Sequence, residues 1–326
     1  MKILALGTLA ALVHALPISA QAGDPLTLVR SIALPDVRGR IDHLAVDLAG
    51  GRLFVAAVGN DTIEVIDIRT GRWSSRIQGM RDPHGVVFVP EKQRLFVANG
   101  GGTVDTFDGD LRPTGRIESL ADADNVRYDA ATGRIFVGYA GALAMINAST
   151  MQKSSADIKL AGPPEGFQVD RGRSRIYVNV PSARHIAVVD LQKGSVSDKW
   201  GLGDLRENYP MALDEPTGRL FVATRQPATL LVYDVTNGTR IAGVSACGDA
   251  DDVFSDGDTG NIYVICGEGV IDVFRRSNVD QYVKVGQVPT ARGARTGLFV
   301  SSSRTVFVAV PAQWSKPAEI REYRVQ

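Results

Sequence analysis

Between Asp42 and Gly79 four short apolar runs alternate with polar breakers: D-H-L-A-V-D, G-R-L-F-V-A-A-V-G-N, T-I-E-V-I-D-I-R-T-G and R-W-S-S-R-I-Q-G. The apolar positions fall at spacing two or in runs of three, and a Gly, Asp or Asn cluster closes each run. That pattern predicts strands joined by tight turns, and no helical period survives in it. Four such strands in succession make one twisted antiparallel meander.

The unit recurs to the end of the chain. Its first strands read as Leu44–Asp47, Val86–Val89, Val126–Asp129, Phe167–Asp170, Met211–Asp214, Val253–Asp256 and Leu298–Ser301, and their last residues step by 42, 40, 41, 44, 42 and 45. The second strands repeat more plainly: R-L-F-V-A from Arg52, Arg94 and Arg219, R-I-F-V-G from Arg134, R-I-Y-V-N from Arg175, N-I-Y-V-I from Asn261 and T-V-F-V-A from Thr305. Seven units of this period predict an all-β, seven-bladed β-propeller of four-stranded antiparallel blades. The seventh unit stops after its third strand, at Glu319–Val325, while an unassigned strand, Leu26–Leu34, precedes the first. A ring must close to avoid open edges, so the N-terminal strand is expected to complete the last blade. Residues 23–326 then make one domain.

The N-terminus carries Lys2, an apolar run from Ile3 to Leu16, a break at Pro17 and the small-x-small pattern Ala20-Gln21-Ala22. This reads as a secretory signal peptide over residues 1–22, hence a periplasmic or secreted protein with no membrane span. Its removal leaves 35 basic against 36 acidic residues. Such a balance gives no general pull toward nucleic acid. No C-x-x-C-H is present, which excludes covalent c-type haem. The two cysteines fall near the mouth-side ends of antiparallel strands in the sixth unit. Cys247 and Cys266 are therefore expected to form a disulfide in an oxidising compartment.

The second and third strands, with their G-x-x-T-I-E-V-I-D-type junction at Gly59–Asp67, resemble the YVTN-repeat, or YncE-like, seven-bladed propellers over the whole mature chain. The G-H and W-D signature of WD40 blades is missing. The resemblance implies an exported propeller; the activities of that family are diverse, so it implies no one reaction. A DNA-binding reading by family analogy is disfavoured by the charge balance.

In a propeller the first strand of each blade lines the central channel, so the loops leading into these strands meet around one mouth. Those loops supply Asp42 and His43, His84, Asp124 and Asn125, Glu165, Asn208 and Tyr209, Asp251 and Asp252, and Arg295 with Thr296. Asp, Asn, Gly and Pro are ordinary turn residues. Turns do not call for His43, His84, Glu165, Tyr209 and Arg295 at matching places, which marks the mouth as a ligand-binding site for a small molecule or a protein partner. Close carboxylates need a proton, an arginine or a metal between them. Asp124, Glu165 and Asp252 are candidate ligands of a divalent metal, Ca²⁺ or Mg²⁺ with the asparagines, or a transition metal with the histidines. Arg292 and Arg295 are placed to neutralise the acidic side or to hold an anionic group. The alternative function is a metal-assisted, lactonase-like hydrolase with His43 or His84 moving protons; no G-x-S-x-G is present. Asp47 and its repeats read as turn caps, and His185 as a surface histidine.

Overall fold

The computed structural model describes residues 24–326, so the predicted signal peptide lies outside the described residues. The chain forms seven four-stranded antiparallel sheets arranged as a propeller. The blades, numbered in chain order, open with Leu44–Asp47, Pro83–Val89, Val126–Asp129, Phe167–Asp170, Arg206–Asp214, Ala250–Asp256 and Gly297–Val300. Outer strands of blades 1 to 6 are mostly exposed, and that of blade 3 is only Ile158–Lys159; that of blade 7, Leu26–Leu34, buries Leu26, Ile32 and Leu34.

The repeated R-L-F-V-A strand explains why blades stack. Its pleat sends alternate side chains to opposite faces. In blade 1, Leu53 and Val55 pack with Phe307, Ile320 and Leu34 of blade 7, while Phe54 and Ala56 pack with Val86, Leu95 and Val97 of blade 2. Each of the seven hydrophobic clusters joins two neighbouring blades. The aromatic third residues of these strands, Phe54, Phe96, Phe136, Tyr177, Phe221, Tyr263 and Phe307, are all buried. Burying one such ring contributes roughly 1.5–3 kcal/mol.

On the face away from the mouth the repeated aspartates cap turns as expected. Asp47 accepts from Gly50 N–H (2.8 Å) and pairs with Arg52 (2.6 Å), and Asp256 accepts from the hydroxyl of Thr259 (2.6 Å). Blade 7 corrects the sequence register: Val300, not Ser301, pairs with Thr305, and Ser301 opens a 3₁₀ turn. His185 is also corrected. It starts the third strand of blade 4, is 8% exposed, and has Nδ1 3.2 Å from Ala183 O.

Closure follows expectation. Leu26–Leu34 pairs with Ala318–Val325 from Leu26↔Val325 to Leu34↔Ala318, with an irregularity between Leu28 and Arg30. Arg30 Nε bonds Glu322 Oε2 (2.5 Å) across this pair. Deleting residues 23–35 exposes the edge of blade 7 and strips Ile32 and Leu34 from the core; aggregation or a much lower melting temperature is the expected result, and an unchanged melt contradicts it. The disulfide links Cys247 to Cys266 with Cα atoms 5.9 Å apart and a sequence separation of 19. Closing a loop of this length stabilises by about 3 kcal/mol in the chain-entropy view. Replacing both cysteines by Ser should lower stability by about that amount in denaturant titrations, and a change below about 1 kcal/mol argues against it.

Candidate functional site

The loops leading into the first strands share one backbone device. Asp42 N–H donates to Ala56 O (2.8 Å) and Ala56 N–H to His43 O (3.1 Å). Asp124 and Asn125 make the same pair with Gly138 (3.0 and 2.8 Å), and Glu165 and Gly166 with Asn179 (3.0 and 3.0 Å). Each mouth residue is thus pinned to the end of the second strand in its own blade. Blades approach so closely here that a Cβ on Gly85 would collide with Asp124 O, and one on Gly166 would sit 2.6 Å from Tyr209 O. With the corrected register Arg295, rather than Thr296, matches Asp42. Thr296 is buried and donates to Ile41 O (3.3 Å), bracing blade 7 against blade 1.

One half of the mouth is a chain of ions. Asp42 is 1% exposed, and its Oδ2 accepts from Arg40 Nη2 (2.7 Å) and His84 Nδ1 (2.6 Å). The other ring nitrogen of His84 lies 3.2 Å from Asp82 Oδ2, so both nitrogens face carboxylates as an imidazolium requires. Burial works against that charge, but Asp42, then Asp124 and Asp82, push His84 up to about 9. Burial also opposes ionisation of Asp42, yet His43, His84 and Arg40 hold it well below the usual carboxylate range. His43 lies 4.0 Å from Asp42 Oδ1 and 3.9 Å from Asp252 Oδ1, too far to hydrogen-bond. Burial lowers it to about 4, so it is neutral at pH 7.

The opposite half neutralises itself. Arg225 pairs with Asp251 (2.7 Å) and Asp249 (3.2 Å), Arg295 pairs with Asp249 (3.1 Å) and Asp251 (3.2 Å), and the Arg225 guanidinium stacks 4.2 Å from the Tyr209 ring centre. Burial still outweighs Arg225 and lifts Asp251 to about 6.

Three carboxylates stand outside both groups: among the described residues Asp124, Glu165 and Asp252 have no arginine or lysine partner at ion-pair distance. Burial and then the charge of Asp42 raise Asp124 to about 7. Burial, Asp124 and Asp251 raise Glu165 to about 8. Asp252 is pushed well above its ordinary value by burial, against the Gly297 N–H it accepts (2.8 Å). Asp124 Oδ1 and Asn125 Oδ1 are buried acceptors without a hydrogen-bond partner.

The space along the axis has three tiers. An upper cavity of about 310 Å³ is lined by Arg40, His84, Asp124, Glu165, Tyr209 and Arg295, with others. Below it a void of about 20 Å³ is ringed by Asp42, Asp124, Asn125, Glu165, Asp251 and Asp252, with Arg40 and Arg127 also on its wall. A lower chamber of about 570 Å³ opens toward the other face and is lined by the first strands. Donor atoms of Asp42, His84 and Asp124 lie within 4.8 Å of one another, close enough to share an ion.

Sequence reasoning placed most of these residues at the mouth, but besides Thr296 two more do not join them. Asn208 is fully buried in the blade 4–5 interface, donating to Asn179 Oδ1 (2.9 Å) and His185 O (3.3 Å). Arg292 lies exposed on the rim beside Gln313 and Trp314. Missed were Arg40, Asp82, Arg127, Arg225 and Asp249. Arg40 stands two residues before Asp42, and Arg127 was visible as the charged second residue of a channel strand. Arg225, from the end of a second strand, had no repeat signal.

The sequence matches no protein-family model and no curated protein. Among solved structures it resembles Kuenenia stuttgartiensis hydrazine synthase, with a TM-score of 0.77 at 14% identity over 89% of this chain and 97% of that one. At that identity the likeness shows the propeller fold and carries no chemistry.

The mouth sets a pH dependence whose sign is fixed. Asp124 and Glu165 have folded values above their ordinary 3.8 and 4.5, so the folded state binds more protons and stability falls as pH rises toward about 7 and 8. The ion pairs of His84 stabilise fully below 6.5, and that contribution is lost as pH rises through about 9. All three losses overlap between pH 6.5 and about 7, that of Glu165 continues to about 8 and that of His84 to about 9, so the melting temperature should drop from pH 6.5 to 9. Asp124→Asn or Glu165→Gln should flatten the drop and stabilise at pH 9 by on the order of 1–3 kcal/mol, after allowing for solvent screening. A melting temperature that climbs over this window contradicts the assignment.

Proposed function

We propose that this is an exported binding propeller whose mouth holds a divalent cation and, above it, a small oxygen-bearing ligand. The observation that carries the reading is the ion-sized void. Among the carboxylates that ring it, Asp124, Glu165 and Asp252 have no arginine or lysine partner at ion-pair distance among the described residues, and the unpartnered acceptors Asp124 Oδ1 and Asn125 Oδ1 belong to residues of its wall. A space of this size takes one water or one ion, and acceptor oxygens without donors suit a hard cation such as Ca²⁺, Mg²⁺ or Mn²⁺. Asp124, Asn125 and Glu165 would supply oxygen ligands, with Asp42 behind them. His84 is the softer donor, but Asp42 and Asp82 already occupy its ring nitrogens. The upper cavity leaves room for an organic ligand beside the ion, with Arg295 and Tyr209 on its wall. Export is supported by the N-terminal pattern and by the Cys247–Cys266 bridge. The resemblance to YVTN-repeat propellers agrees with both.

A hydrolase at the same mouth is the second reading. It is favoured by one feature: His84, held protonated beside the upper cavity, is a ready proton donor to a leaving group.

Calorimetric titration of the mature protein with Ca²⁺, Mg²⁺ and Mn²⁺ tests the binding reading. One site per chain is expected, with affinity falling about tenfold or more in Asp124→Asn and in Glu165→Gln, while both variants stay folded. Absence of saturable binding by all three ions, or affinity untouched by both substitutions, removes it. Metal-dependent opening of simple lactones that is lost in His84→Ala would instead select the hydrolase.

A further inference from the structure

The lower chamber differs from the mouth in both charge and polarity. Its level is set by the residue third from the end of each first strand, the one that pairs with the aromatic of the second strand. These residues are Ala45, Val87, Arg127, Gln168, Ala212, Phe254 and Leu298. Six are uncharged, so Arg127 alone places a cation at this level.

Arg127 is also unusually free. Nη1 donates to the neighbouring Val126 O (2.9 Å), and the guanidinium lies 5.6 Å from the Phe167 ring centre. Among the described residues no carboxylate stands at ion-pair distance from it. The nearest in the chamber, Asp252, has Oδ2 occupied by Gly297 N–H. A guanidinium remains charged whatever its surroundings, so its unused N–H donors stay available in a fixed fork. Part of the wall around it is apolar, where Val46, Val87, Leu213, Phe254 and Phe299 are partly exposed; Gln168, Asp252, Ser255 and Ser301 make the rest polar. The volume of about 570 Å³ is within the range of small-molecule sites, and the chamber is open at the face where the first strands end.

We propose that the lower chamber is a second binding site, below the mouth void with which it shares Arg127, for an amphipathic organic anion: a carboxylate or sulfonate on Arg127 with its hydrocarbon body against the apolar part of the wall. The charged head takes the bidentate geometry that arginine offers to an oxyanion. The hydrocarbon replaces water on Val46, Leu213 and the two phenylalanines, a gain proportional to the apolar area covered. A cation is disfavoured by Arg127 itself, and a fully polar anion leaves the wall wet.

The test uses the whole mature protein and two probes. The first is 8-anilinonaphthalene-1-sulfonate, followed by fluorescence; the second is octanoate as its competitor, with octylammonium and 1-octanol as matched controls. Saturable binding at one site per chain is expected, displaced by octanoate well before either control. Arg127→Gln should weaken both anions about tenfold or more, the worth of a charge-assisted hydrogen bond, and Arg127→Lys should restore part of the loss. Leu298→Asp, which puts a negative charge on the wall without touching Arg127, should weaken them likewise and decides the matter if Arg127→Gln does not fold. The proposal is overturned by absence of saturable binding, by equal displacement with octylammonium, or by an affinity that the substitutions leave unchanged.

Discussion

Packing between blades is the constraint on which everything else here depends. A blade has an apolar residue on each face of its second strand and no core of its own, because both faces need a neighbour. Leu53 and Val55 look back to blade 7, and Phe54 and Ala56 look forward to blade 2. Such a unit is stable only when the series returns to its start. The pairing of Leu26–Leu34 with Ala318–Val325 does this with chain from opposite termini. The joint between the last blade and the first is therefore held by backbone hydrogen bonds as well as by side chains.

Closure has a chemical consequence. Once seven strands stand around an axis, the residue before each is brought to one rim, and the backbone pairs at Ala56, Gly138 and Asn179 fix its height. Residues far apart in the chain become one electrostatic system. Its halves behave differently for a reason of composition: Arg225 and Arg295 match Asp249 and Asp251, whereas Asp124, Glu165 and Asp252 have no guanidinium of their own. Burial then decides their protonation. The same strands, a few residues further along, carry valine, leucine and phenylalanine, so polarity changes along the axis with each step of the pleat.

The fold was legible because it is written seven times; the period, the R-L-F-V-A strands and the missing last strand each carry it independently. The mouth was legible only as a set of positions. Asp42, His84, Asp124 and Glu165 converge because the repeat register is rigid, but their partners are not in the repeat. Arg225 reaches the mouth from the far end of a second strand, and Asp249 from the loop before blade 6. Asn208 precedes Tyr209, the true counterpart of Asp42, and so takes the place of Ile41, Ala123 and Ala250, which are buried as well; it turns inward to Asn179. One residue of register at Val300 makes Arg295, already expected at the mouth, the counterpart of Asp42 and takes Thr296 out of it. Side-chain direction depends on such local slips, which hydrophobic patterning does not encode.

The distribution of stability explains how the mouth can keep unfavourable charges. Seven interfaces, each with a buried aromatic, supply apolar burial far from the axis, and the outer strands need add little. Ring closure makes that burial cooperative, so a cluster of partly protonated carboxylates at the rim costs stability without opening a seam. Filling such a cluster with neutral residues would be simple by turn chemistry alone, since Asn, Ser and Gly fit these turns equally well. Carboxylates placed where burial drives them toward protonation run against folding, and the fold tolerates them at a site where a cation can take the place of the proton. The strain is local to one end of the axis. At the other end Arg127 presents the opposite charge in a chamber with an apolar stretch of wall, so a single channel offers two chemically distinct places to bind.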